Sequence, residues 1–412
     1  MAASPETAGA DAAGIAGFDL MALPQDFVPE AYRYFAALRR ASPVHRNSDG
    51  SFALSRYDDL VSVYRDPATW SSDKKLEFKP KFGASPLYEH HTTSLVFRDP
   101  PDHTRIRKLF QHAFTRKALA ALEPGIHALV DHYLDRFEDR GEMDVVSDFS
   151  FKLPIDVVCR MLGVPASDAG IIHDWALLIL GGLEPVLSDA QLRAGCRAVE
   201  DFKAYLRDRI KERKANPDGG REGEILSALM NAQEEGDKLT ELELLHQCIF
   251  LLNAGHETAT NMISHGVHEM LRHPDQLAKL RADPGLTESA VEEILRYQSP
   301  IQINNRRATR DTELSGVSLP AGALVHLLVG AANRDPAQFP EPDRFDIARR
   351  PNRHLAFGLG IHICAGNALA RLEGGIAFEK LLTRFPTLRL AAPAKLTNRI
   401  RFREVSELKV AL

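Results

Sequence analysis

Through the first two-thirds of the chain, apolar residues return every three or four positions, the spacing that gathers them on one face of an α-helix. Residues 30–40 follow this pattern and stop ahead of Ser42-Pro43, because proline disfavours helical backbone in the residue before it. A short strand pair, 44–45 with 52–54 across Asp49-Gly50, comes next. Residues 71–96 have no clear period, although they carry Lys74, Lys75, Lys79, Lys81, His90 and His91. A loop this long inside a compact domain is usually functional or mobile. Further helices are expected near 102–113, 119–138, 150–162, 168–180 and 189–214, the last ending at the break Asn216-Pro-Asp-Gly-Gly220.

From 240 to 272 the helical period holds without interruption, a length of roughly 50 Å at 1.5 Å per residue. Thr240 and Glu243 have the spacing of a capping box at its start. Near the middle stands Asn253-Ala-Gly-His-Glu-Thr-Ala-Thr260, where glycine costs about 1 kcal/mol against alanine. Propensity given up mid-helix often marks a functional site. After a helix near 286–298, residues 300–351 turn strand-like, with a small sheet at 317–322 and 324–329. A last helix is expected from Cys364 to about Phe385, then short strands. The predicted fold is mainly α with a small β-rich part. No repeat or linker divides it. Residues 1–18 read as a flexible leader and 19–412 as one domain.

The 412 residues are 44% hydrophobic and 26% charged, ordinary for a globular protein and ample for a large core. Net charge is −5, a field that does not favour nucleic acid or anionic membranes. The longest strongly apolar stretches, 175–183 and 249–252, fall well short of the roughly 20 residues of a membrane span. Four scattered cysteines (Cys159, Cys196, Cys248, Cys364) form no CxxC pair, and no secretion signal precedes them. They are expected to be reduced, and the protein to be cytoplasmic.

One segment carries most of the chemistry: His354-Leu-Ala-Phe357-Gly358-Leu-Gly360-Ile-His362-Ile-Cys364-Ala-Gly366. Its glycines permit a tight turn whose backbone N–H groups converge on one atom, and a cysteine starting a helix has its negative charge favoured. Gly366 allows a flat partner to approach closely. A shielded thiolate that is the sole protein ligand of a metal best suits haem iron, because the porphyrin supplies the equatorial ligands.

Here the sequence resembles the cytochrome P-450 superfamily, specifically its soluble bacterial members. The resemblance runs from about residue 20 almost to the end of the chain and implies the cytochrome P-450 fold and haem b. Cys364 would be the proximal thiolate, Phe357, Gly358 and Gly360 the loop around it, and His362 a propionate contact. Glu293 and Arg296, three apart on one helix face, would join Arg344 in a structural E-x-x-R arrangement. His103 and Arg107, four apart, would grip the propionates with Arg306, for which Arg307 is an adjacent competitor. Ala254 and Gly255 would lie against the cofactor. Thr258 would hydrogen-bond dioxygen and Glu257 feed a proton relay at a locally opened helix turn.

Two rival motifs fail. H-E-x-x-H ends in Thr260, and the third glycine of G-x-G-x-x-G is Ile363. The implied activity is monooxygenation of a small, largely apolar organic substrate by dioxygen, in a monomer served by a separate ferredoxin and ferredoxin reductase. A peroxide-driven haem-thiolate peroxygenase and a non-catalytic haem- or ligand-binding protein are the alternatives. Lys108, Arg116, Lys117, Arg353 and Arg371 are candidates for a basic ferredoxin-docking patch. Expected pocket walls are 71–98, 175–190, 251–255, 301–305 and 398–400. Leu251, Leu252, Ile301 and Ile303 would give it apolar character, and Gln302, Asn304 and Asn305 could orient a polar end.

Overall fold

The 240–272 periodicity becomes one unbroken helix, Glu241–Arg272, in the computed structural model, which describes residues 15, 18–111, 114–183, 187–216, 224–232 and 239–412. Both halves of its capping box form: Thr240 Oγ1 accepts from the Glu243 N–H at 3.1 Å, and the Glu243 carboxylate accepts from the Thr240 N–H at 2.9 Å. The helix is buried on nearly every face, as a helix crossing a domain must be. At Gly266 an added Cβ would stand 2.2 Å from Phe378 Cζ, so only bare backbone lets that ring reach the helix. Phe378 lies on the helix Asn367–Arg384 and is 1% exposed, and burying such a side chain contributes roughly 1.5–3 kcal/mol.

Helices Lys152–Met161, Ala169–Gly181, Asp189–Ala215, Thr287–Tyr297 and Asn367–Arg384 share one apolar core with this central helix. Beside it lies a five-stranded sheet in the spatial order Val44–Arg46, Phe52–Leu54, Leu324–Leu328, Ile303–Ala308, Trp70–Ser71. Phe52–Leu54 pairs with Leu324–Leu328 in parallel, and the other pairings are antiparallel. Val44, Leu54, Trp70, Val325 and Leu327 form a second core, and Phe27, Phe35, Ile303 and Leu328 belong to a third.

Three expectations change. The 71–96 stretch holds helices Lys75–Phe82 and Pro86–Thr93 and a 3-10 turn, Leu95–Phe97. The helices are short, Pro80 interrupts the first, and the buried face of the second is largely polar (His90, His91, Thr92, Thr93), so no apolar period shows. The last helix begins at Asn367, not at Cys364. Residues 1–14, 16 and 17 of the expected leader lie outside the described residues, but Phe18 is buried against Phe27, Tyr34 and His45. The Asn216–Gly220 break is described only at Asn216, which ends the 189–215 helix; 217–220 lie outside the described residues.

Candidate active site

The cysteine loop is shaped by two left-handed glycines, Gly358 at φ +67° and Gly360 at φ +73°. A Cβ on Gly360 would stand 2.2 Å from the Tyr64 carbonyl oxygen, so this position excludes any larger residue. The Gly358 N–H donates to the Leu355 carbonyl and the Cys364 N–H to the Phe357 carbonyl, each at 2.9 Å, which closes the loop. Cys364 precedes the helix by three residues, yet the Gly366 N–H at the helix cap still donates to its sulfur. Burial pushes the thiol's pKa up, while that N–H and the charges of Arg107 and Arg371 pull it down.

Cys364 opens onto a cavity of about 310 Å³, so its accessible surface faces the protein interior and not bulk water. His103, Arg107, Arg306 and His362 line this cavity together with Phe357, Gly358 and Gly366. The His103 and His362 rings lie 4.1 Å apart, and both nitrogens of His103 and Nε2 of His362 are buried without a hydrogen-bond partner. Burial first, then neighbouring cations, pulls the His103 pKa down to about 4 and that of His362 to about 2. Nearby Asp99, whose carboxylate accepts from Ser71 Oγ and the Ser72 N–H, pushes the His103 pKa the other way, but less than burial and Arg107 push it down. Buried cations and unsatisfied donors around a thiol fit a group that brings carboxylates, as the haem propionates would. Among the described residues no cluster of His, Cys, Asp and Glu could hold a metal ion by itself.

Of the adjacent arginines, Arg306 is buried on the cavity wall, with its guanidinium 5.5 Å from the Tyr64 ring. Arg307 turns away, donating to the Gly322 carbonyl at 2.6 Å and pairing with Glu77 at 3.2 Å. On the central helix Ala254, Gly255, Glu257 and Thr258 all line the cavity. The expected opened turn is absent, since the helix is continuous there. Thr258 Oγ1 donates back to the Ala254 carbonyl at 2.8 Å. Glu257 is buried and pairs with Arg399, which also reaches Glu404 at 3.3 Å.

The E-x-x-R pair is fully buried, with Arg296 Nε and Nη2 each 2.8 Å from a Glu293 oxygen. Its third member is Arg349, not Arg344. Arg349 Nε lies 3.2 Å from Glu293 Oε1, whereas the Arg344 side chain is 58% exposed and pairs with Glu341. Arg344 contributes only its carbonyl, which accepts from Arg296 and Arg349. Four arginines (Arg344, Arg349, Arg350, Arg353) fall within ten residues, and spacing alone does not separate them.

Among expected pocket residues Leu251, Ile301 and Asn304 line the cavity. Leu252 instead packs in the helical core and Ile303 in the cluster with Phe27 and Phe35. Lining residues missed from sequence include Tyr64, Phe250, Met262 and Arg401, and no local pattern marks them. Lys108, Arg116, Lys117 and Arg353 are exposed, but Arg371 is committed to Glu292 at 2.6 Å and stacks 4.5 Å from the Phe357 ring.

The sequence profile of the family described as "Cytochrome P450" matches residues 174–392, which contain the central helix, the E-x-x-R pair and the cysteine loop. Cytochrome P450 107B1 of Saccharopolyspora erythraea is 39% identical over 388 residues, 91% of this chain and 92% of that protein. This chain belongs to the cytochrome P450 family. Another relative, cytochrome P450 monooxygenase PikC of Streptomyces venezuelae, is 38% identical across 90% of this chain and 88% of its own. The solved structure of P450BioI in complex with an acyl carrier protein ligated to hexadec-9Z-enoic acid aligns with TM-score 0.88 and 37% identity. It covers 94% of this chain and 99% of that one. As a member of the family, this cytochrome P450 is a monooxygenase that binds haem b. Among the described residues no helix is long and apolar enough to cross a membrane.

Proposed function

We propose that this cytochrome P450 hydroxylates a small, largely apolar organic molecule in the cytoplasm, drawing electrons from a separate ferredoxin and its reductase. The observation that carries this reading is one cavity whose walls combine a thiol, a set of cations and histidines suited to propionates, and an acid–alcohol pair. When bound, haem iron supplies the binding and reductive activation of dioxygen, one atom going to substrate and one to water. Cys364 would hold the iron, its negative charge favoured by the Gly366 N–H and by Arg107 and Arg371. His103, Arg107, Arg306 and His362 would neutralise the propionates. Thr258 would pass a proton toward the cavity by turning its hydroxyl away from the Ala254 carbonyl. Glu257 would resupply it, with Arg399 and the partly exposed Glu404 leading outward.

Apolar walls supplied by Leu180, Leu183, Phe250, Leu251 and Ile301 support an apolar substrate body. The four cysteines are unpaired, in keeping with a reducing compartment. Exposed Lys108, Arg116, Lys117 and Arg353 support docking of an acidic redox protein. In the test, turnover with a ferredoxin chain in isotopically labelled dioxygen should place one labelled atom in the product. The rate of reduction should fall as salt rises. Equal turnover with peroxide alone, or reduction indifferent to salt, would contradict the proposal.

A further inference from the structure

Three elements meet at one wall of the cavity and join in a chain of buried polar groups. His90, on the helix Pro86–Thr93, lines the cavity and is 2% exposed. Its Nδ1 lies 3.3 Å from Nδ1 of His246, a fully buried residue of the central helix. His246 Nε2 in turn lies 3.0 Å from Glu89 Oε1. Lys203, from the helix Asp189–Ala215, holds the same carboxylate oxygen at 2.9 Å and Glu200 at 3.0 Å. His90 Nε2 bonds no described residue.

The chain has only one consistent arrangement of protons. An ionised carboxylate accepts and never donates, so His246 Nε2 carries a hydrogen. Burial, the largest influence on each ring, holds the pKa of His90 well below the usual range and lowers that of His246, so each is neutral with one ring proton. His246 Nδ1 is therefore bare, and the short contact between the two Nδ1 atoms needs the proton of His90. With its single hydrogen committed to His246, His90 has a lone pair at Nε2.

We propose that His90 Nε2 is a fixed hydrogen-bond acceptor at the cavity wall, selecting substrates that bear a hydroxyl group on an otherwise apolar body. Glu89, His246 and Lys203 are positioning residues that lock its tautomer. The inference rests on the reading that this cavity receives the substrate. A second acceptor lies on the same wall: Ser94 Oγ donates its hydrogen to the His90 carbonyl at 2.8 Å and keeps only lone pairs for the cavity. A hydroxyl satisfies such a wall, whereas an ether or ketone sets acceptor against acceptor. Neighbouring His91 and Asn253 also line the cavity, but their side chains make no hydrogen bond among the described residues, so their polarity can adapt.

Two readouts on the haem-loaded protein test this. In the diamagnetic ferrous carbon-monoxide form, histidine labelled at both ring nitrogens should show His90 as the Nδ1–H tautomer and His246 as the Nε2–H tautomer. In spin-state titrations, dodecanol should bind ~3–10-fold more tightly than dodecyl methyl ether. His90→Phe should abolish that preference, and His246→Phe should weaken or invert it by freeing the His90 proton to move to Nε2. An Nε2–H tautomer at His90, equal binding of the two probes, or a preference surviving His90→Phe would overturn the proposal. So would the absence of any spin change with dodecanol at its solubility limit. In each of these cases an intact thiolate-type carbon-monoxide absorption shows that the haem-thiolate reading stands, whereas its loss would mark failure of that reading instead.

Discussion

In the proposed function, proton delivery would depend most on Glu257, a buried carboxylate on the cavity wall with an outward connection through Arg399. Glu257→Gln keeps its shape and removes its ability to take up and release a proton. Turnover with the redox chain should fall by about 10²-fold, within the range of a lost general acid or base, while the spin shift induced by substrate stays unchanged. Turnover at the wild-type level would show that protons arrive elsewhere. At this scale the sequence was legible where a motif has little freedom. Gly360 stands against the Tyr64 backbone and admits nothing larger; the choice between Arg306 and Arg307 stayed open in the sequence, and it is the strand that alternates them and puts Arg306 on the cavity wall. It was illegible where several like residues compete. Arg349 reaches Glu293 because of the path its segment takes, and its neighbours have the same chemistry.

Between elements, the Glu293–Arg296–Arg349 group ties the helix Thr287–Tyr297 to the segment that leads into the cysteine loop. Arg296 donates to the carbonyls of Asn333 at 3.0 Å and Pro342 at 2.7 Å, while Glu293 accepts from the Asp346 N–H at 2.9 Å and Asn352 Nδ2 at 3.1 Å. Arg349 also donates to the carbonyls of Pro340, Glu341 and Arg344, so its removal strips several charge-assisted hydrogen bonds even though Glu293 stays paired with Arg296. Arg349→Ala should therefore destabilise the haem-loaded protein by about 3 kcal/mol. Arg344→Ala removes an exposed pair and should cost less than about 0.5 kcal/mol. Chemical denaturation of the two variants decides the matter, and equal losses would count against Arg349 as the third member. Periodicity revealed the central helix because buried apolar residues such as Leu244, Cys248, Leu252, Ile263, Val267 and Met270 recur at helical spacing along its length, although polar residues are buried between them. It missed Pro86–Thr93 because the buried residues there are histidines and threonines, and that same polarity furnishes the His90 acceptor.

The whole molecule keeps several histidines neutral in its interior, which makes its stability depend on pH. Burial, the first cause in each case, pulls His91 down to about 3 and His256, His265 and His326 to about 4. In the unfolded chain these groups titrate near ~6.5. Below that pH the unfolded state takes up protons that the folded state refuses, so their contribution is complete above ~6.5 and is lost progressively toward ~4. Each histidine adds up to about 1.4 kcal/mol per pH unit to the slope. The urea midpoint should fall between pH of about 7 and about 5, and a constant midpoint would contradict this account. Fold class was readable at this scale because a long mid-chain helix, a sheet-rich segment and a glycine-flanked cysteine occur in one order along the chain. The cavity's full lining was not, because it is assembled from residues as distant as Tyr64 and Phe402. All of it converges on the sulfur of Cys364. The most direct measurement is the absorption spectrum of the reduced, carbon-monoxide-bound holoprotein beside Cys364→Ala. The red-shifted band of thiolate ligation should be present in the first and absent in the second. Its absence from the first, or its persistence in the second, would contradict the account.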